Sequence, residues 1–559
     1  MTCAVKGALR FSRGTITTAG VLMAGSYLAM SGTAAKPDSW ESGTEVYEEK
    51  TADRDSFDHS PIIPRSKKKN ETIVPKQYLG ADVSGVGMAN AQQKNIGATR
   101  RKKGPTKGAF RPDPQYGKKY DAKGQEDIYG GKSAVEPPRP LLEIGREQYT
   151  SGLYDESSTL FGKLNPLLPG LSVYGDWRTA IAYNKNNGKD IAQIATRLNL
   201  DVDFKITATE RIHAFFTPLQ EGNAKFTRFE FGGRDGDQKF AGEFDFEPQT
   251  LFFEGDAGSI YSGLTGQYAG FDLPFTVGLF PLFLQNGIWA NDAILGGAVT
   301  LPARNSPTIG LSNYDITFFA AFDNVDNASF IGANGKIDND NANLFGVTTF
   351  IDAFNGYVEA GYGFLQGTGF QDDVQQHFLT AAYSRRYANT ISNSTRVFAN
   401  FGDDGRGTGD GLAIISENSL ISPLPSTLLP YANFFVGFGN PEPLVDGNNA
   451  GILKNVGINF ETDALTGYPK LDDTASNTFG GALGVEYLFN LDQQLVFEVA
   501  TVQPFENDGI GAKAAQYGFG VRYQIPLTRS WLFRADATYQ IQENGEDNFG
   551  FRTEIRSKF

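Results

Sequence analysis

The chain has 559 residues and a formal net charge of -14, with 65 glycines, 44 phenylalanines and 23 tyrosines but one cysteine and three histidines. A single thiol excludes a disulfide framework and a cysteine-based metal site, and no nucleic-acid partner is expected of so acidic a chain. Length is only a prior on domain number, because all-β barrels often run long as one domain, and glycine with aromatics suits strands and tight turns.

Lys6, Arg10 and Arg13 form a positive region ahead of a modest apolar core at about 15 to 31, and small residues surround Ala34 and Ala35. Residues 1–35 therefore read as a secretory signal that contains Cys3; the competing reading is an N-terminal membrane anchor. No later stretch approaches the roughly 18 uninterrupted apolar residues of a transmembrane helix. If the exported chain crosses a membrane, strands must do it.

Residues 36–150 differ in kind. Between positions 64 and 124 there are 15 Lys and Arg against 4 Asp and Glu, with few apolar residues in any period. Such a segment cannot bury enough apolar surface to fold alone, so a basic, largely disordered arm on the periplasmic side is expected. It suits an anionic envelope polymer such as peptidoglycan, or lipid headgroups, and equally a solvated linker.

From about 165 the texture becomes alternation. Leu198, Leu200, Val202, Phe204, Ile206 and Ala208 lie on one side of a strand whose other side carries Arg197, Asn199, Asp201, Asp203, Lys205 and Thr207. That run exceeds an ordinary globular strand of about 5 to 6 residues and matches the roughly 9 to 11 of a transmembrane strand. Further strands are expected near 171–184, 209–218, 224–232, 239–246, 250–260, 273–284, 293–301, 309–322, 343–353, 356–366, 377–387, 394–402, 431–439 and 455–462.

The C-terminal part repeats itself. The stretch from Gly484 aligns without a gap to that from Gly520, Val485, Tyr487 and Phe489 matching Val521, Tyr523 and Ile525, each copy a strand, a short polar turn and a strand. Turns at 490–493 and 527–530 are short, whereas the connections at 504–514 and 462–477 are long. Short turns at one end and long loops at the other are what outer-membrane barrels show. In hydrocarbon every backbone group must be paired, so the sheet must close. The expectation is an all-β, transmembrane antiparallel barrel of 16 or 18 strands over residues 165–559, with Tyr487, Phe489, Tyr523, Trp531, Tyr539, Phe549 and Phe559 as girdle aromatics.

With its signal, its cysteine-free barrel region and a last strand carrying Phe551, Thr553, Ile555 and Phe559, the chain resembles bacterial outer-membrane porins. The stretches from Leu171 to Tyr183 and from Thr276 to Gly297 are similar to segments of alginate-export and carbohydrate-selective porins, in which an early strand carries an arginine into the channel. The resemblance implies location in the cell outer membrane, outer-membrane lipid and the barrel-assembly machinery as partners, a homotrimer as a common arrangement, and Phe551, Ile555 and Phe559 as the assembly signal. Deleting Phe559 is accordingly expected to impair insertion, seen as loss of the heat-modifiable folded band. The basic arm departs from a simple porin.

Under this reading the charged faces line the lumen: Arg178, Arg197, Asp201, Asp203, Lys205, Glu486, Glu498, Arg522, Arg534 and Asp536. Their mixed signs suit polar solutes such as sugars, and the acidic excess suggests a mild cation preference. The function expected is passive diffusion of small hydrophilic solutes; the alternative is a plugged barrel that tethers the outer membrane to peptidoglycan. Outside the arm, His213 and His377 are the only histidines and neither sits in a catalytic or metal motif, so no enzyme, cofactor or metal is expected. The Asp- and Asn-rich stretches 323–343 and 402–411 could offer oxygen ligands to Ca²⁺, but they lack the spacing of an EF-hand loop.

Overall fold

The computed structural model describes residues 139–145 and 160–559, apart from position 161 and the stretches 223–224, 233–238, 307, 309–310, 331–341, 403–408, 423–427, 448–449, 462–464, 490–492 and 506–510. The signal and the basic tract lie outside these residues, as do most of the two Asp- and Asn-rich stretches.

A short β1 (Leu142–Gly145) precedes the long strands β2 (Gly170–Asn186) and β3 (Lys189–Lys205). Next come β4 (Arg211–Phe216), β5 (Gln220–Glu221), β6 (Lys225–Gly232), β7 (Lys239–Ala241), β8 (Pro248–Asp256) and a helix, α1 (Ala257–Thr265). The wall continues through β9 (Pro274–Leu284), β10 (Ala290–Ser306), β11 (Leu311–Asp323), β12 (Ala342–Ala353), β13 (Gly356–Gly367) and β14 (Gln375–Tyr387). After β15 (Ile391–Gly402), β16 (Gly411–Leu420), β17 (Leu428–Gly439) and a two-residue β18 (Val445–Asp446), the chain ends with β19 (Thr478–Phe489), β20 (Gln493–Pro504), β21 (Gln516–Pro526), β22 (Trp531–Gln542) and β23 (Asn548–Lys558).

Wall strands pair antiparallel with their neighbours in sequence, and β23 returns to β2 with Ile555 opposite Thr179, so the sheet closes. β4 and β6 both pair with β3 and together fill one interrupted wall position; β7 and β8 fill the next. Counted so, the ring has 18 strands, the larger of the two expected numbers.

Four local expectations are corrected. The strand expected at 250–260 ends at Asp256, whose carboxylate accepts the Ser259 N–H and starts α1 as an N-cap. The stretch 455–462 forms turns inside the long connection 440–477, not a strand. Conversely, β16 lies outside the expected strands, because Leu412 and Ile414 face out while Ala413 and Ile415 face in, and a strand apolar on both faces shows no alternation. Finally, β1 falls inside the 36–150 arm yet pairs with the β2 edge, Leu142 opposite Val173 and Gly145 opposite Gly170.

The chain end and the start of β2 share one rim, called inner here. Phe559 closes the seam there, its N–H donating to the Gly175 carbonyl (3.1 Å) while Gly175 N–H donates to the Phe559 carbonyl (2.9 Å). β1 takes up the β2 edge where β23 stops. The inner rim carries tight turns such as Phe354–Asn355, and the outer rim carries 324–341, 440–477 and 505–515. Two connections break that pattern: 257–273, with α1, is long on the inner rim, and Asn187–Gly188 is a two-residue turn on the outer one. Both residues of that turn have positive φ, the demand that Asn-Gly meets. The outward face of the wall is an exposed apolar and aromatic belt that includes Trp177, Ile181, Leu379, Phe434, Leu483, Phe497, Val521 and Trp531. A closed antiparallel barrel of even strand number with such a belt is built to sit in an outer membrane.

Candidate functional site

The inner face has two halves, because long connections fold into the barrel. On β12 to β17 the inward side chains Leu344, Leu365, Phe378, Phe398, Ile415 and Phe435 are buried under Trp289 from the β9–β10 hairpin, Phe330, and Leu444, Leu453, Val456 and Phe460 of the inward loop 440–477. Glycine makes room for them. A Cβ on Gly361 would stand 2.6 Å from the Trp289 indole, and one on Gly363 would stand 2.5 Å from Leu444. Each large apolar side chain buried this way contributes about 1.5–3 kcal/mol relative to exposure, so the loop is seated in the lumen and does not merely hang over it.

The other half, from β19 through β23 to β3, is charged. Asp536 on β22 accepts from Arg522 Nε (2.7 Å), Arg534 Nε (2.8 Å) and Arg552 Nη2 (2.7 Å). Across from it Glu461 of the inward loop accepts from Arg522 and from Arg534 (3.2 Å). Nearer the inner rim, Arg556, Arg178 and Arg197 stand in one hydrogen-bonded row across β23, β2 and β3. Asp176 spaces them: it accepts from Arg178 and from Asn199 (2.9 Å) and lies 3.6 Å from Arg556, which also donates to Glu554 (3.0 Å). Arg178 Nη2 has no hydrogen-bond partner among the described residues. Side chains of Arg178, Arg522, Arg534 and Arg556 keep 11, 16, 12 and 16% of their surface open and Glu461 keeps 37%, whereas Asp176 and Asp536 are buried, so within this network lumen water meets the arginines and Glu461.

The inward loop crosses between the two halves. Glu498, on β20, is buried beneath it and accepts from the Ile458 and Asn459 N–H groups (2.9 Å each) and from the Tyr431 hydroxyl (2.6 Å). Thr466 offers its carbonyl to Asn184 (2.7 Å) and Gln193 (2.5 Å), Leu465 packs on Ala180 and Ala195, and the Tyr468 ring lies 5.4 Å from the Arg552 guanidinium.

Of the residues singled out in the sequence, Arg178, Arg197, Arg522, Arg534 and Asp536 come together on this wall. Asp201, Asp203 and Lys205 lie lower on β3, where His213 sits with Nε2 3.1 Å from Glu254 and its ring stacked on Phe252 at 4.9 Å. Glu486 stays near the inner rim and accepts from Gln494. His377 is on the outward face, stacked on Phe401 at 5.2 Å and hydrogen-bonded to the Tyr362 hydroxyl. Sequence reasoning missed Asp176, Glu461 and, on the opposite wall, Glu359 and the Arg396–Glu417 pair. Alternation marked the faces of Asp176 and Arg396; nothing in the sequence marked Glu461, which is on a loop.

Two loop carboxyls make the seating depend on pH. Burial alone raises Glu461, but Arg522, Arg534 and Arg552 outweigh it and hold the group at about 2. Glu442 is raised to about 8 by burial against one hydrogen bond from Asn440. Glu461 therefore favours the seated loop above its ordinary value near 4.5, and this is lost as pH falls towards 2. For Glu442 the sign reverses: its contribution is complete below 4.5 and is lost as pH rises through 8. Bilayer recordings from pH 3 to 9 should show flickering at both extremes; Glu461→Gln should remove only the acid edge and Glu442→Gln only the alkaline one.

No protein-family model matches the chain, and no curated protein matches it. Among solved structures the chain is similar to Pseudomonas aeruginosa OccK7 (OpdD), with TM-score 0.45, 9% identity and coverage of 70% of this chain and 98% of that one. It is similar to Acinetobacter baumannii OccAB4 with TM-score 0.44 and 12% identity, covering 70% and 98%.

Proposed function

We propose that the chain is a porin: a passive channel for small hydrophilic solutes, narrowed by its own inward loop. The observation that carries this reading is the charged wall held inside a closed barrel, since a ladder of arginines buried in a membrane protein has no use unless water and solute reach it. On that wall Arg178, Arg522, Arg534 and Arg556 keep part of their surface open while their partners Asp176, Asp536 and Glu554 are buried, so guanidinium edges face the lumen with Glu461 as the open carboxylate among these partners. Local charge at a constriction outweighs charge on distant loops, so solutes bearing a negative group beside hydroxyls, sugar derivatives among them, are favoured over cations.

Reversal potentials in a KCl gradient test this. The native protein is expected to prefer chloride, and Arg178→Gln with Arg556→Gln should shift the permeability ratio severalfold towards potassium. A cation-selective native channel, or no shift, would sink the assignment of the wall. The plugged-barrel reading has one observation in its favour, the inward loop's crossing of the lumen. Absence of any conductance steps from folded protein would decide for it, and binding of the basic arm to purified peptidoglycan would then test the tether.

A further inference from the structure

The outward face of β14 to β16 carries an island that lipid does not suit. Tyr383, Arg385, Asn393, Thr395, Ser416 and Asn418 point outwards in its inner-rim half. The island does not reach the water at that rim. Below it Tyr387, Ile391 and Leu420 are exposed to 42, 42 and 40%, and above it stand the exposed Leu379, Val397 and Ile414. Towards the same rim on β19 to β22, the outward positions include Val485, Leu495, Ile525 and Phe533.

The island is internally hydrogen-bonded. Asn393 Nδ2 donates to Asn418 Oδ1 (2.8 Å) and Ser416 Oγ (3.1 Å), Thr395 Oγ1 donates to Asn393 Oδ1 (3.3 Å), and Asn418 Nδ2 donates to the Ala432 carbonyl (2.9 Å). The amide N–H groups of Asn393 and Asn418 are thereby taken, but each amide oxygen keeps a spare lone pair directed outwards from the sheet's own network. The Arg385 guanidinium lies over the Tyr387 ring, 5.4 Å from its centroid, and has no hydrogen-bond or ion-pair partner among the described residues. Acyl chains satisfy none of these groups, and an arginine on a barrel's lipid face is destabilising.

We propose that this sector is a two-fold interface between two copies of the chain. Arg385 brings donors and the Asn393 and Asn418 side-chain oxygens bring spare acceptor sites, so the island is complementary to itself, as an isologous contact requires. A two-fold axis along the membrane normal through β15 sets β14 of one copy against β16 of the other. Asn393 then meets its own counterpart, and the Arg385 guanidinium gains the carbonyl oxygens of the facing β16. Polar side chains that bond across a membrane interface hold partners together where hydrophobic burial cannot.

Cross-linking in isolated outer membranes tests this in a Cys3→Ser background, which removes the chain's only thiol. Thr395→Cys should give a disulfide-linked dimer under mild oxidation, and Val499→Cys, on a distant part of the outward face, should not. Adding Asn393→Leu and Asn418→Leu to Thr395→Cys should lower the dimer fraction severalfold while the heat-modifiable band shows that the barrel still folds. Failure of Thr395→Cys to cross-link, with a fluorophore attached at position 395 quenched by brominated lipid, would mean that lipid covers the island and would overturn the proposal. Equal cross-linking from both positions, or cross-links only to another protein, would overturn it as well.

Discussion

Replacing residues 441–476 by a short glycine-serine bridge is expected to raise single-channel conductance roughly three-fold or more, because barrels of this strand number leave an aqueous channel once nothing fills it. The bridge is geometrically possible: β17 and β19 are hydrogen-bonded neighbours, with Val436 opposite Phe479, and the loop only connects their outer ends. The antiparallel ladders between wall strands are untouched, and only the two-residue pairing of β18 with β10 is lost. What the variant loses is the apolar seat, so Phe398, Ile415 and Phe435 would face water, and melting of the heat-modifiable band should fall although insertion persists. The charged wall changes too: without Glu461, Arg522 and Arg534 share Asp536 alone, and chloride preference should increase alongside conductance. Planar-bilayer recording of both quantities on one preparation is the check. A variant that folds and conducts as the native protein does would show that the solute path avoids the inward loop.

The wall was legible where its inner face is charged and obscure where that face is apolar. Arg197, Asp201 and Asp203 alternate with Leu198, Leu200 and Val202 because one side meets water and the other lipid, the condition under which period two appears. On β16 both sides are apolar, since Ile415 packs under the inward loop, and the strand vanished from the pattern. The same packing produced the false strand at 455–462, where Val456 and Phe460 alternate because they dock on the wall. Arg534 and Asp536 could be placed on one face from their spacing. Their partner Glu461 could not, because pairing across the lumen depends on where a connection of 440–477 settles, and no local period encodes that. His213 likewise gave no signal: its neighbours Asp203 and Glu254 come from strands before and after it.

Asp536→Asn should be the most damaging single change on the charged wall. The carboxylate is buried and is the common acceptor for Arg522, Arg534 and Arg552. Removing one member of a buried ion network costs about 3–5 kcal/mol, because the remaining charges keep their desolvation penalty without the compensating field. Glu461 can still take Arg522 and Arg534, but it is partly open to lumen water and sits on a loop, so its compensation is weaker. Arg552 loses two hydrogen bonds and keeps its position over the Tyr468 ring. The expected result is a lower melting temperature of the folded band and, in bilayers, stronger anion preference, since removing the carboxylate unmasks positive charge on Arg522 and Arg534, which already meet lumen water. A purely structural carboxylate would move only the first readout. Arg552→Met in the Asp536→Asn background separates the two: it should recover part of the stability by removing the charge left buried, and it should bring the selectivity part of the way back. If stability returns and selectivity never moved, Asp536 braces the barrel but does not set the field that solutes cross.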